Sequence, residues 1–503
     1  MPNGKRYVCQ IKDIKEVVST RPIPRYLLII LGAAILALYG LTYRGTAEIV
    51  DEQVMLNVTA NLFDEHLISV KTHYPNLVVV PSDPNARVYS KYALAQSLVA
   101  VPFYAIGSLA STGEQVTLDD RPVSVTALEG ALAVGSVLTM LTVFGIYSIA
   151  LELGFSPFVG VISGILYAVT TIAWLYAKTF FSEPLTAFTL YWVVVFVLRT
   201  RRTKRLIDGL LTGAFLGVAI LSRTTAAVFI VLLALYLLPD WNAITASKVG
   251  MFARLRAYAE QSLRTLLPLA PGIAGGLGLS LAYNLYRYGN LLTSGYEAGF
   301  NAIYWDAIGG FLYSPGRSIF LYNPVLLLAI PGTWWLFQRA RREAVLFVLL
   351  IALQVAIFMG WYAWDGAGSY GPRFMVQILP IAMCLVMPMI ERVRWRPVLA
   401  ILAVLGFGLQ LIASSLTMIS LFYDIGFDVP TSVIDWSLDK SFIAHLWSTF
   451  SKNPLDSLLL HDLAPTDPFT RLAIMAILTL IPVGIMLWVA GRVNVVTQAV
   501  STE

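Results

Sequence analysis

The sequence predicts an all-α polytopic membrane protein: a bundle of about twelve transmembrane helices with an amphipathic first external loop. Three observations lead there. Of the 503 residues, 57% are hydrophobic and only 13% charged, about half the ~25% charge of soluble domains. The mean hydropathy is +0.71, and apolar runs near the ~20 residues that cross a bilayer recur along the chain. The segments between those runs also differ sharply in charge, as the loops of a threaded chain do. The net excess is only +5, and the Lys and Arg sit in short loops. That pattern orients a membrane protein and excludes nucleic acid as the expected partner.

The elements follow in order. Residues 1–24, "MPNGKRYVCQIKDIKEVVSTRPIP", are too long and mixed in charge for a signal peptide and read as a cytoplasmic tail. Apolar runs then fall at 25–43, 94–111, 122–150, 157–177, 184–198, 206–222, 224–239, 265–286, 319–337, 344–362, 373–390, 397–420 and 470–490. Residues 25–420 form the main transmembrane region, with a first external loop at about 44–93. Residues 421–469 form an external acidic cap holding Asp424, Asp428, Asp435, Asp439, Asp456, Asp462 and Asp467, and residues 470–503 are the last span and a cytoplasmic tail.

The basic loops "RTRRTKR", "QRARRE" and "ERVRWR" belong inside by the positive-inside rule. From an inside N-terminus, that parity requires one early run not to cross. Leu94 to Ala110, short and interrupted by Pro102 and Gly107, is the expected interfacial or re-entrant segment.

With that count, the unusual polar motifs gather outside. "AEIVDEQVML" places Asp51 and Glu52 just after the first span, with Val54, Met55, Val58 and Leu62 at helical spacing behind them. This reads as an amphipathic helix on the membrane that starts at Asp51. A solvated helix start is the bland explanation; a carboxylate facing a cavity can instead be a general base. Glu183, in "AKTFFSEPL", is either a first-turn acid before Pro184 or a cavity carboxylate. The two roles are compatible.

Lys91, Arg223, Arg287, Arg317 and Arg373 are cations on the same face, against the positive-inside bias. In "SPGRS" and "GSYGPR", Gly and Pro set a turn and an Arg opens a span, an arrangement suited to holding a phosphate. Tyr89, Tyr296 and Tyr370, with Tyr283, Tyr286, Tyr288, Tyr362 and Trp364, either belt the interface or stack against sugar rings. The sequence has no P-loop, GxGxxG, HExxH or Cys/His cluster, so no cofactor is expected and no divalent metal is implied. Cys9 and Cys384 lack metal-ligand company, and "NVT" at Asn57 is a chance sequon.

In their order along the chain, these motifs resemble the GT-C class of polytopic glycosyltransferases. The likeness is to the branch containing protein O-mannosyltransferases and the aminoarabinose transferase of lipid A. The resemblance spans roughly Arg25 to Pro380, through "VDEQ", "YSKYALAQSLVAVPFYAIG", "AKTFFSEP", "LLTGAFLGVAILSRTTA", "YNLYRYGNLLTSGY", "FLYSPGRSIFLYNP" and "GSYGPRFMVQILP". It implies a multi-pass inner-membrane enzyme that transfers a sugar from a polyprenyl-phosphate carrier to a glycan, lipid or protein acceptor, on the extracytoplasmic face and with inversion. Asp51 would then be the general base, with Glu52 and Glu183 beside it in the catalytic set. Lys91 and an Arg would hold the carrier phosphate, Arg317 and Arg373 leading and Arg223 behind them. Tyr89, Tyr296 and Tyr370 would contact sugar or acceptor. Glu183 departs from members that have Asp there. The competing readings are a catalytically silent subunit of a membrane complex and a transporter of lipid-linked sugar. A transporter calls for mid-membrane charges and a repeat between halves, and neither is visible.

Overall fold

The structure, a computed structural model, describes residues 23–71, 78–79, 87–118, 120–241, 250–296, 299–452, 457 and 467–501. The expected cytoplasmic tail lies outside the described residues except for its last two, and so do Cys9, His73, Asp456, His461 and Asp462. Among the described residues, seven helical segments are long and apolar enough to cross a membrane: Val125–Glu152, Glu183–Thr203, Met251–Tyr288, Arg341–Met359, Arg373–Glu391, Val393–Ser414 and Pro468–Thr497. Five shorter apolar helices accompany them, at Arg25–Leu41, Ala95–Leu109, Pro157–Thr170, Leu206–Ser222 and Thr224–Leu237. The only sheets among the described residues are a three-stranded one in the first loop, in which Val88–Ser90 pairs antiparallel with both Ser69–Val70 and Val78–Val79, and a hairpin of Gln115–Leu118 with Arg121–Ser124.

The helices that position the site are α1 (Arg25–Leu41), α2 (Val50–Asp64), α3 (Ala95–Leu109), α4 (Glu183–Thr203), α5 (Leu206–Ser222), α6 (Ala270–Tyr288) and α7 (Leu379–Glu391). Helix α2 corrects one expectation. It does not lie on the membrane with a polar face out: Glu52, Asn57, Thr59 and Asn61 are buried together with Val54, Met55 and Val58. Much of this side is held by hydrogen bonds. Ser97 of α3 donates to the Met55 carbonyl at 2.8 Å, and Asn61 donates to the Ser69 carbonyl at 2.8 Å while accepting from Arg121 at 3.0 Å. Helix α3 has 15 residues, about 22 Å at 1.5 Å per residue, shorter than the ~30 Å hydrocarbon core.

Two expected runs are broken rather than continuous. The 319–337 run splits at Asn323 into Ile319–Tyr322, a 3-10 turn Pro324–Leu328 and Ala329–Arg339. The 157–177 run splits at Thr171. The breaks satisfy each other: the Asn323 side chain accepts from the Ile172 N–H at 2.8 Å and donates to the Ile319 carbonyl at 2.8 Å. Freed backbone groups in a bundle need such partners.

Helices α5 and α6 touch through glycine. A Cβ on Gly217 would stand 2.1 Å from the Gly272 carbonyl oxygen, and one on Gly276 2.2 Å from that of Gly217. With Gly213 one turn earlier against Leu269 and Gly272, this is backbone-to-backbone packing by small residues.

The bundle has two chemically distinct ends. Helix α4 carries Glu183 in its first turn and Arg201 and Arg202 in its last, about 30 Å apart for 21 residues. At the arginine end, Arg199 and Arg202 bind Glu152, Arg201 and Arg342 bind Asp240, and Arg339 binds Glu391, so the three basic loops come together. The described part of the 421–469 cap packs onto the core and pairs two of its acids. Asp424 meets Lys452 and His445, and Asp435 is buried against Arg317 at 2.6 Å. Phe442 inserts between Tyr370 and Phe422.

Candidate functional site

The acids of "AEIVDEQ" divide their work. Glu48 pairs with Arg44 and accepts the Met418 N–H at 2.7 Å, pinning the loop to the start of the helix Met418–Ile425 that leads into the cap. Glu52 is fully buried. One oxygen accepts from the Glu48 and Ile49 N–H groups at 2.9 and 3.4 Å, and the other from the Phe180 N–H at 3.0 Å. The first pair caps α2, as a Glu at the third helical position does; the second ties α2 to the loop before Glu183. Burial outweighs these bonds and the nearby Arg373 and Arg44 charges, and pushes the Glu52 carboxyl up to about 7. Asp51, one residue back and so ~100° around the helix, keeps a side chain 26% exposed and lies 3.9 Å from the Arg373 guanidinium.

Glu183 is fully buried between two arginines. The same carboxylate oxygen accepts from Arg223 and, at 2.7 Å, from Nε of Arg373. Arg223 also donates to the Ser182 hydroxyl at 3.3 Å. Their planes rest on aromatic faces: Arg373 is 3.5 Å from the Phe181 ring centroid and Arg223 5.2 Å from that of Phe374. Asp51, Arg373, Glu183 and Arg223 therefore form one chain of alternating charge.

Lys91 closes the site from the first loop. Its ammonium lies 5.4 Å over the Tyr92 ring and 5.8 Å over that of Tyr296. Burial lowers its pKa, and the Asp51 charge acts in the opposite direction. The backbone on either side of it is held by Arg287 from α6, which donates to the Ser90 and Tyr92 carbonyls at 2.8 and 3.1 Å and to Asn284 at 2.7 Å. A pocket lined by Lys91, Leu94, Thr224, Asn284 and Tyr296 opens there. Burial, then the Asp51 charge, raises the Tyr92 phenol. Burial also raises Tyr296, which feels Arg223, Asp51 and Arg373. Three cations thus face two carboxylates, and the surplus positive charge suits an anion. Among the described residues, no three His, Cys, Asp or Glu side chains come together as a metal site.

Residues 125–279, under a third of the chain, match the family described as dolichyl-phosphate-mannose-protein mannosyltransferase. ArnT from Cupriavidus metallidurans, solved bound to undecaprenyl phosphate, superposes with a TM-score of 0.50 at 13% identity, covering 94% of this chain and 77% of that one. The chain has the GT-C fold. It resembles ArnT and the protein mannosyltransferases within that class. The oligosaccharyltransferase of Archaeoglobus fulgidus, in the apo form, aligns at a TM-score of 0.47 and 12% identity over 81% of this chain. The chain spans 58% of that protein's length. No curated protein sequence matches.

On this GT-C frame, Asp51, Glu183, Lys91, Arg223, Arg373 and Tyr296 share one site, and four other expected residues do not join it as expected. Arg317 is fully buried and four of its five N–H donors are taken: Nε by Asp435, both on Nη1 by the Ser369 and Gly371 carbonyls and one on Nη2 by that of Ala367. It holds the 366–371 turn from a fully buried position, away from the Asp51–Arg373–Glu183–Arg223 chain. Tyr370 is fully buried, packed edge-on to Tyr322 and against Phe442, so it contacts protein rather than sugar. Tyr89 packs against Tyr286 at 5.3 Å, on the strand that leads into Lys91. Glu52, expected in the catalytic set, spends both oxygens on backbone N–H groups and positions its neighbours. Tyr92, not singled out in the sequence, stands beside Asp51; its place next to Lys91 was the available signal.

Proposed function

We propose that this protein is a membrane glycosyltransferase that moves a sugar from a polyprenyl-phosphate carrier to an acceptor hydroxyl on the extracytoplasmic face, with inversion. The observation that carries this reading is the chain Asp51–Arg373–Glu183–Arg223 with Lys91 beside it, at the end of the bundle opposite the basic loops. The undecaprenyl phosphate in the ArnT structure supports a lipid-phosphate donor, and the positive-inside rule supports the sidedness.

The chemistry follows from the charges. Asp51 accepts the proton of the acceptor hydroxyl as that oxygen forms its bond to the anomeric carbon. The bond from that carbon to the phosphate oxygen breaks, and the carrier phosphate gains one negative charge. A single displacement from the opposite side inverts the anomeric centre. Lys91, Arg223 and Arg373 meet the growing charge, and preorganised donors of this kind lower a barrier by ~3–4 kcal/mol each. Glu183 keeps two guanidinium groups close together without repulsion, and the aromatic faces hold their planes. The transporter reading finds no support in this arrangement, since Glu183, Arg223 and Arg373 sit at helix ends. The test is transfer in proteoliposomes from a synthetic polyprenyl-phosphate sugar to a panel of hydroxyl acceptors. Transfer is expected with carrier supplied on the Asp51 side; carrier binding without any transfer would overturn the reading in favour of a silent subunit.

A further inference from the structure

The helix Met251–Leu266 has a face that the fold leaves bare. Along its 16 residues only Thr265 is buried, and Met251, Phe252, Leu255 and Leu263 are 61%, 91%, 48% and 61% exposed. These four fall on one side at helical spacing, while Arg256, Glu260 and Arg264 occupy another. Arg256 and Glu260 pair at 2.8 Å. A single strip, through Arg254, Tyr258 and Thr265, turns inward, and Tyr258 stacks edge-on with Trp241 at 5.3 Å.

The place of this helix along the bundle is fixed by its neighbours. Gly209, at the start of α5, lies against Pro268. The preceding helix Phe229–Leu237 ends where Arg201 and Arg342 donate to the Tyr236 and Leu238 carbonyls. Residues 267–269 are therefore level with the basic loops. Met251–Tyr288 is one 38-residue helical segment, about 57 Å if straight, against a hydrocarbon core of ~30 Å. The 3-10 turn Leu267–Leu269, with Pro268 inside it and Pro271 after it, interrupts the α-helical ladder where the crossing has to begin.

We infer that Met251–Leu266 is an interfacial helix that binds anionic phospholipid at the basic-loop end of the bundle. Its apolar side enters the acyl region and Arg256 and Arg264 reach the headgroups, so the crossing starts near Leu267. Charge complementarity selects this occupant over a protein partner. The helix carries three arginines against one glutamate, beside the arginines of the 199–205 and 339–342 loops. An amphipathic helix rich in Arg on its polar side lies in the plane of such a surface.

The full-length protein in phosphatidylglycerol–phosphatidylcholine nanodiscs provides the test, in a Cys9→Ser background in which Cys384 is buried. A fluorescent probe is placed in turn at Phe252→Cys, Leu255→Cys, Leu263→Cys and Glu260→Cys. Lipid-borne nitroxide should quench the first three several-fold more than the fourth, and aqueous iodide should show the reverse order. Replacing Arg256 and Arg264 by Gln should lower phosphatidylglycerol enrichment around the purified protein about fivefold per charge. Iodide reaching all four positions equally would overturn the inference. So would shielding of the apolar positions from both quenchers, the result a protein partner or a second copy of the chain would produce.

Discussion

Replacing Glu183 by Gln removes the negative charge that two arginines share. The carboxylate is fully buried, and the side chains of Arg223 and Arg373 are only 19% and 12% exposed, so water cannot take over its role. The two arginine hydrogen bonds lose their ionised acceptor, and bonds to charged groups are worth ~1.5–3 kcal/mol each. Breaking a buried ion pair by removing one partner costs ~3–5 kcal/mol. The two scales agree, and we expect Glu183→Gln to lose about 3–5 kcal/mol of stability. Arg373→Met alone should cost less, because Arg223 still neutralises Glu183. The double variant should be less destabilised than the sum of the two, by ~0.5–3 kcal/mol, as residues in one network are. The assay is equilibrium unfolding in mixed micelles, followed by tryptophan fluorescence, for wild type, both single variants and the double variant. A loss below ~1 kcal/mol for Glu183→Gln, or additivity within ~0.5 kcal/mol, would refute the shared-charge account.

Glu52 supplies a pH signature. Its carboxyl sits at about 7 in the fold against ~4.3 in an unfolded chain, so the folded state holds the proton more tightly. Its stability contribution is full below ~4.3 and is lost as pH rises through about 7; Glu52→Gln should flatten that slope, and an unchanged pH profile of unfolding would refute it. Arg317 and Lys91 should separate cleanly. Arg317→Gln leaves Asp435 buried without its partner and should cost ~3–5 kcal/mol of stability, whereas Lys91→Met should weaken undecaprenyl phosphate binding at nearly wild-type stability. Thermal unfolding and carrier titration of both variants decide it, and the opposite pattern would refute the assignment.

The class of fold was readable because hydropathy and loop charge are local quantities. The break at Asn323 was not read from the sequence, although Asn followed by Pro disfavours a continuing helix. Asp51, Lys91, Glu183, Arg223 and Arg373 each stood out as a charge beside an apolar run, which is why the site could be assembled from sequence order. That Arg317 stands apart from the cluster has a physical cause. Arg317 and Arg373 follow similar Gly/Pro turns, and what distinguishes them is Asp435, 118 positions from Arg317. The backbone-capping place of Glu52 is hidden from the sequence for the same reason. Its decisive partner, the Phe180 N–H, is 128 positions away, and no local pattern contains it. Helix α2 looked amphipathic because the polar partners of its second face, Ser97, Ser69 and Arg121, come from other segments.

Asp51 is the general base of the proposed transfer. Asp51→Asn keeps the shape, leaves the Glu183–Arg223–Arg373 cluster intact and removes basicity. Single-turnover transfer from a polyprenyl-phosphate sugar, measured at saturating carrier with the variant folded and carrier-bound, isolates that one change. The rate is expected to fall at least ~10²-fold, the low end of what a positioned base contributes, while carrier affinity stays near wild type. Turnover near wild type by Asp51→Asn would contradict that role, and would leave the "VDEQ" acids as a helix start and nothing more.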